Sequence, residues 1–139
     1  MKTILLIMIG LSSLVLADFT RLNGVVTDNI TKLKWQDDYS DNANAVKRTS
    51  WQNAIDYCEA LTLDGGGWRL PNVKELESLV DSSKSNPSID ATFLNTTSND
   101  YWSSTSIVGF FNRAWHVGFN KGYTGGNFKN GDYYVRCVR

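Results

Sequence analysis

The sequence predicts an α+β domain in which a β-hairpin, two helices and a strand-rich half follow one another along the chain. Alternating apolar residues near the start indicate the hairpin, and two segments with apolar residues at helical spacing follow. After residue 100, short apolar and aromatic runs are separated by turns such as NKGYTGG and KNGD. Helices that are segregated along the chain from an antiparallel sheet are typical of the α+β class.

The first 17 residues, MKTILLIMIGLSSLVLA, have the pattern of a secretory signal peptide. Lys2 precedes an apolar run that ends in small and aliphatic residues, which predicts cleavage between Ala17 and Asp18. The alternative is an uncleaved anchor, but the run is shorter than the roughly 18–20 residues of a membrane span. We therefore expect an exported protein, periplasmic or secreted, in which residues 18–139 form a single domain without membrane insertion.

The hairpin is predicted in VVTDNITKLKW, residues 25–35. Asp28 and Asn29 supply turn residues, and Leu33 and Trp35 alternate on the returning strand. The polar stretch that follows, QDDYSDNANAVKR, has no apolar periodicity and is predicted to be a loop.

The two helices are predicted from capping signals and apolar spacing. In TSWQNAIDYCEAL, Thr49 and Gln52 fit a capping box, and helical spacing places Cys58 on the inner face. In the second helix, Asn72 and Glu75 form another capping pattern. One apolar stripe follows from that start: Val73, Leu76, Leu79 and Val80.

GGGWRLP, between the helices, is open to two interpretations. A phosphate-binding loop would read GxxxxGK[ST] or GxGxxG after a strand, whereas these glycines follow a helix. Glycine just past a helix end is a common C-cap, so a structural corner is favoured. In that corner Trp68 and Leu70 are expected to enter the core, and Arg69 to pair with a carboxylate or backbone carbonyls.

The last 39 residues are predicted to contain four strands: YWSSTSI, RAWHVGF, a short one near residues 126–129, and YYVRCVR. The chain has two cysteines, Cys58 and Cys137. An even count in an exported protein favours a disulfide, which would fasten the first helix to the last strand.

Charge is balanced overall but uneven along the chain. Residues 18–100 carry eight Lys/Arg against thirteen Asp/Glu, a net of −5, and residues 101–139 carry five against one, a net of +4. This pattern is not that of a nucleic-acid-binding protein. A locally basic half suits an anionic ligand, although such an excess is often only a solvated face.

Three candidate sites follow from residue types. Ser103, Ser104 and Thr105 with His116 lack the G-x-S-x-G elbow of a hydrolase, and His116 is expected to be exposed on its strand. The loop of Asp37, Asp38, Asp41 and Asn42 is oxygen-rich but lacks EF-hand spacing, so a solvated loop is favoured over a calcium site. No metal or cofactor is predicted.

The third candidate is a mixture of cations and aromatic residues in the strand-rich half. Cations bind sulfate or carboxylate groups, and aromatic planes pack on the apolar face of a sugar ring. The alternative is that the aromatic residues are core and the cations protect sheet edges. The predicted ligand-binding residues are Arg113, Trp115, His116, Lys121, Tyr123 and Lys129.

GVVTDNITKLKWQ, YCEALTLDGGGWRLPNVKELESLVD, YWSST and YYVRCVR together resemble the C-terminal domain of the Legionella collagen-like adhesin. The resemblance implies a C-type-lectin-like fold, with two helices beside a small twisted antiparallel sheet. It also implies ligands such as sulfated polysaccharides. RLPxxxE resembles formylglycine-generating enzymes as well, but their chemistry needs a redox-active cysteine pair, and both cysteines are assigned to the bridge.

The sequence thus predicts an exported, non-catalytic domain that binds an anionic glycan or a cell-surface component. The alternative function is protein–protein interaction or a structural role in the cell envelope, without a sugar site. Salt distinguishes the two in part, because binding through several cations weakens with ionic strength and an apolar interface does not.

Overall fold

A computed structural model describes residues 18–139, and the predicted signal peptide lies outside the described residues. Within residues 18–139 the helices are α1, Trp51–Ala60, and α2, Val73–Glu77, with single 3-10 turns at Ser40–Asn42 and Leu63–Gly65. The strands of this part of the chain are β1 Phe19–Leu22, β2 Val25–Asp28, β3 Lys34–Gln36, β4 Arg48–Thr49, β5 Asp100–Ile107, β6 Phe110–Gly118, β7 Tyr123–Phe128 and β8 Tyr133–Tyr134. The α+β class is confirmed.

The first sheet is antiparallel and has the order β1-β2-β3. The predicted hairpin is confirmed as β2 and β3, and the side chain of Asp28 accepts hydrogen bonds from the backbone N–H groups of Ile30 and Thr31 in the turn. The sequence did not predict β1, because most of its side chains are exposed and show no apolar alternation.

The second sheet has five strands in the order β4-β8-β5-β6-β7. The expectation of a wholly antiparallel sheet is wrong, because Tyr134 of β8 pairs with Tyr101 of β5 in parallel. After β7, at one edge, the chain passes across β6 and β5 before it joins the sheet between β4 and β5. β4 joins the last residue of the stretch that was predicted to be loop, Arg48, to the first residue of the predicted helix segment, Thr49.

The helices pack on opposite faces of this sheet. Ala54 of α1 shares a buried apolar cluster with Trp102, whereas Leu76 of α2 shares the other cluster with Tyr101. Since successive strand residues point to opposite faces, Tyr101 and Trp102 mark the two sides. Both faces of β5 are therefore covered, which leaves the hairpin end and the β7 edge as the accessible parts.

The predicted capping box of α1 is wrong. The helix begins after Ser50, whose side chain makes no capping hydrogen bond. Thr49 lies instead in β4, opposite Tyr133, and its carbonyl accepts a hydrogen bond from Trp102 Nε1 at 3.0 Å. Its backbone is thus committed to the sheet and is not free to cap the helix.

The second capping box is confirmed. Asn72 accepts from the backbone N–H of Glu75 at 2.8 Å, and the Glu75 carboxylate accepts from the Asn72 N–H at 2.9 Å. Arg69 binds the same Glu75 carboxylate through both terminal nitrogens at 2.7 Å, as the corner interpretation expected. Because of this pair, the pKa of Glu75 is lowered from its ordinary value.

The glycine corner is confirmed in position but not in detail. Trp68 and Leu70 are buried, as expected. The C-cap of α1 is Leu61 in an extended conformation, so the glycines do not end that helix. Gly65, Gly66 and Gly67 instead form a run with φ between 82° and 89°, a backbone region that side chains disfavour.

The disulfide between Cys58 and Cys137 is confirmed, with 5.5 Å between the Cα atoms. The predicted strand YYVRCVR is divided between the two sheets. Tyr133–Tyr134 belongs to the second sheet, whereas Val138 forms bridges to Trp35 of β3 and to Arg69 of the corner. The C-terminal seven residues thus connect every layer of the domain.

We predict that replacing both cysteines with alanine lowers the free energy of unfolding by about 2–5 kcal/mol. The bridge closes a loop with a sequence separation of 79 residues, so its removal increases the entropy of the unfolded chain. Urea denaturation of the double variant measures the change. A loss below about 0.5 kcal/mol would show that the bridge adds little to the packing around it.

Candidate functional site

The structure does not bring the six predicted ligand-binding residues into one cluster. Alternation along β6 places Arg113 and Trp115 on the face that α2 covers, and His116 on the face that α1 covers. Tyr123 pairs with Gly118, so it shares the face of His116. Lys121 lies in the turn between β6 and β7, at the end of the sheet away from Arg113.

Lys129 fastens the start of α1 to the sheet. Its Nζ donates to Ser106 Oγ at 2.7 Å and lies 3.8 Å from the centroid of the Trp51 ring. Its carbonyl accepts a hydrogen bond from the Trp51 N–H at 3.1 Å. Its own N–H donates to the Asn112 carbonyl at 2.9 Å, so all three of its polar groups serve the fold before any ligand is considered.

His116 is not exposed, and that expectation is wrong. Its side chain is 13% exposed, and Nε2 lies 3.4 Å from a carboxylate oxygen of Asp100. The ring stacks parallel to Tyr133, because the chain after β7 crosses this face. Gly125 lies so close that a β-carbon there would be 2.8 Å from the imidazole. Burial lowers the pKa of His116, and the Asp100 carboxylate opposes part of that shift.

Two of the three hydroxyl groups of YWSST, those of Ser103 and Thr105, are engaged by the backbone. Ser103 Oγ donates to the Trp115 carbonyl at 2.6 Å, and Thr105 Oγ1 accepts from the N–H of Val73 at 3.0 Å. Both contacts position elements of the fold, because the first joins β5 to β6 and the second joins β5 to the start of α2. Neither hydroxyl is thereby arranged as a nucleophile toward His116.

Arg113 and Trp115 are the two predicted residues that remain together, half-buried on the part of the α2 side of β6 that the helix covers incompletely. The guanidinium of Arg113 lies 4.1 Å from the ring centroid of Phe128 and 5.7 Å from that of Phe110. Stacking of this kind restricts the guanidinium and uses its flat face, so that the N–H donors at its edge can still bind a ligand. Phe128 was not among the predicted residues, although its register opposite Arg113 follows from the β6–β7 hairpin.

Next to Arg113, Trp115 lines a shallow cavity of about 270 Å³ between the sheet and α2. The Lys74 side chain is 85% exposed, and its Nζ lies 3.2 Å from Glu77. The other oxygen of Glu77 accepts from the hydroxyl of Thr124 at 3.1 Å. Lys74 and Glu77 were not predicted as site residues, because they come from a helix 40 residues earlier in the chain.

A second cavity of about 450 Å³ lies between residues 84 and 96. Its walls are mostly apolar, including Ile89 and Phe93, and Lys84 is the cation that reaches it. Lys84 also lies 3.8 Å from Asp81, which offsets its charge. This cavity therefore suits an anionic ligand less well than the surface of Arg113 and Trp115.

The residues of the oxygen-rich loop differ in their exposure to solvent. The expectation of a solvated loop is wrong for Asp37. This side chain is fully buried and accepts from Arg21, Arg136 and the N–H groups of Leu94 and Asn95. Its oxygens are thus already hydrogen-bonded within the core. Among residues 18–139 there is no group of three or more His, Cys, Asp or Glu side chains placed to hold a metal ion.

We predict that the free energy of unfolding decreases as the pH is lowered from about 7.5 to about 5.5, because of His116. Its folded-state pKa lies below the ordinary value of about 6.5, so the unfolded chain takes up a proton first as the pH falls. His116 is the only histidine of the chain, and histidine is the side chain whose ordinary pKa lies within this range. Urea denaturation at both pH values should show a smaller fall for His116→Gln, and equal falls would contradict the assignment.

Comparison with known proteins places these features in a family. The family model described as the Lcl C-terminal domain matches residues 24–139, which include both helices, the disulfide and every strand from β2 to β8, but not β1. A search of curated proteins gave no match. In residues 18–139, no helix has the length and apolar character needed to cross a membrane. The chain belongs to the Lcl C-terminal domain family, an adhesin-associated group of domains.

Proposed function

We propose that this protein is an exported, non-catalytic adhesin domain that binds an anionic glycan on the surface formed by Arg113, Trp115 and Lys74. Membership of an adhesin-associated family supports the assignment of the protein as an adhesin domain. The observation that carries the assignment of the glycan site is the adjacency of Arg113 and Trp115 on one side of β6. We call this surface the β6 face.

The β6 face combines the two kinds of contact that a sulfated or carboxylated sugar needs. Trp115 offers an aromatic plane to the apolar face of a sugar ring, in a cavity that accepts one or two rings. Arg113, stacked on Phe128, presents paired N–H donors that match the oxygens of a sulfate or carboxylate. The ring and its anionic group thus find complementary partners side by side.

Lys74 and Glu77 of α2 add two charged side chains to the cavity that Trp115 lines. Lys74, which lines the same cavity as Trp115, supplies a second cation. Glu77 reduces the local positive charge but also offers acceptor oxygens to sugar hydroxyl groups. Two cations beside one acceptor favour a polysaccharide that carries both anionic groups and free hydroxyls.

We predict that Arg113→Ala weakens binding of heparin-derived oligosaccharides about tenfold, because a charge-assisted hydrogen bond contributes about 1.5 kcal/mol or more. Trp115→Ala is expected to weaken binding to a similar extent through loss of the stacking plane. Titration calorimetry of the folded variants measures both effects. Binding should also weaken as sodium chloride is raised from about 50 to 300 mM.

The matched control is Lys32→Ala, which removes an exposed cation in the β2–β3 turn, in the other sheet. It should leave the affinity unchanged, since the net charge changes as in Arg113→Ala but the β6 face does not. An equal loss in both variants would indicate non-specific attraction. Absence of binding to any sulfated or carboxylated glycan would contradict the proposal and favour a protein partner.

A further inference from the structure

The end of the β5–β6 hairpin carries an unusual concentration of exposed apolar side chains. Val108 is 96% exposed, Phe111 88% and Phe110 56%. Phe128, on the adjacent strand β7, is 51% exposed. Scattered exposed apolar residues are ordinary, but three within four positions at a projecting turn form a continuous apolar surface. We call Val108, Phe110 and Phe111 the hairpin tip.

The fold itself does not require these side chains. Ile107 pairs with Phe110 across the turn, and Gly109, with φ of 82°, provides the left-handed conformation that the turn needs. Val108 could be any turn-forming polar residue without loss of a core contact, since it belongs to neither buried cluster. The same holds for Phe111, so both side chains are available to a partner.

The hairpin tip is flanked by one cation on each face of the sheet. Arg113 stacks on Phe128 on the α2 side, and Lys129 lies against Trp51 on the α1 side. Residues 101–131 contain three Lys/Arg and no Asp or Glu, so no carboxylate of this segment offsets them. The charge around the tip is complementary to an anionic surface.

The spacing of the apolar and cationic groups matches the depth of a lipid interface. Arg113 follows Phe110 by three residues, which is about 10 Å along a strand. Apolar side chains of interfacial proteins penetrate roughly 5–10 Å into the boundary between headgroups and acyl chains. With the tip at that depth, Arg113 and Lys129 lie at the level of the lipid phosphates.

We propose that the hairpin tip inserts into an anionic lipid surface, with Arg113 binding the headgroups and Lys129, whose Nζ is held by Ser106 and the Trp51 ring, adding its charge at the same level. The contact is peripheral, and so is shallower than the membrane insertion that the sequence argues against. A lipid surface suits a convex projection because it needs no preformed pocket to receive three apolar side chains. The proposal does not rest on glycan binding, since Trp115 and Lys74 are not part of the tip.

The test is co-sedimentation of the purified protein with vesicles of phosphatidylcholine, with and without about one third phosphatidylglycerol. The full chain is expressed with its predicted signal peptide, and the exported protein is purified. Mass spectrometry establishes that all variants have the same N-terminus, so residues 1–17 do not affect the comparison. The wild type should sediment with the anionic vesicles, and sodium chloride should release it. Phe111→Ser and Val108→Ser together should reduce partitioning by about tenfold or more.

Two controls make the outcome decisive. Ile30→Ser removes a side chain that is 74% exposed in the other sheet and should leave partitioning unchanged. Trp115→Ala should weaken glycan binding but not vesicle binding, which separates a failure of one proposal from a failure of the other. Equal partitioning of the wild type and the tip variant would overturn the lipid proposal. So would a tip-dependent self-association without vesicle binding, which would assign the tip to a protein contact.

Discussion

The buried guanidinium of Arg136 is the interaction on which the rest of the structure depends. One terminal nitrogen donates to the Gln36 carbonyl at 2.8 Å and to Asp37 at 3.1 Å, and the other donates to the Asn95 carbonyl and the Thr96 hydroxyl. Arg136 and Asp37 are both fully buried. A buried charge is tolerated only when it is paired and hydrogen-bonded, so β3, the loop before β5 and the C-terminal segment must keep their relative positions.

This constraint also determines which surface is left for binding. With Arg136 in place, the C-terminal segment pairs Tyr134 with the edge of β5 that β6 leaves open, and the disulfide joins Cys137 to α1 on one face of the sheet. Arg139 pairs with Asp64, and Arg136 is enclosed, so neither adds to the surface charge of the second half. The net charge of +4 read from residues 101–139 therefore overstates the basic surface. Its accessible cations are concentrated near β6 and β7.

Local patterns predicted the features that local interactions determine. Apolar spacing located both helices, and Asn72 with Glu75 located one capping box, since each signal lies within a few residues. The role of Asp37 was not predictable, because its partner Arg136 is 99 positions away and an aspartate-rich loop resembles a solvated one. His116 was expected to be exposed, because the chain that covers its side of β6 returns from β7 by a crossing that the sequence did not predict. The alternation of side chains between the two faces of the sheet separated the six candidate residues, so only Arg113 and Trp115 stay together.

The most direct test of this account is a double-mutant cycle of Asp37→Asn and Arg136→Met, followed by urea denaturation. Because each single substitution leaves an uncompensated buried group, we expect each to lower the free energy of unfolding by about 3–5 kcal/mol. The double variant should be less destabilised than the sum of the two, since it removes both charges together. Single losses within about 0.5 kcal/mol of zero, or strictly additive losses, would contradict the central role of this pair.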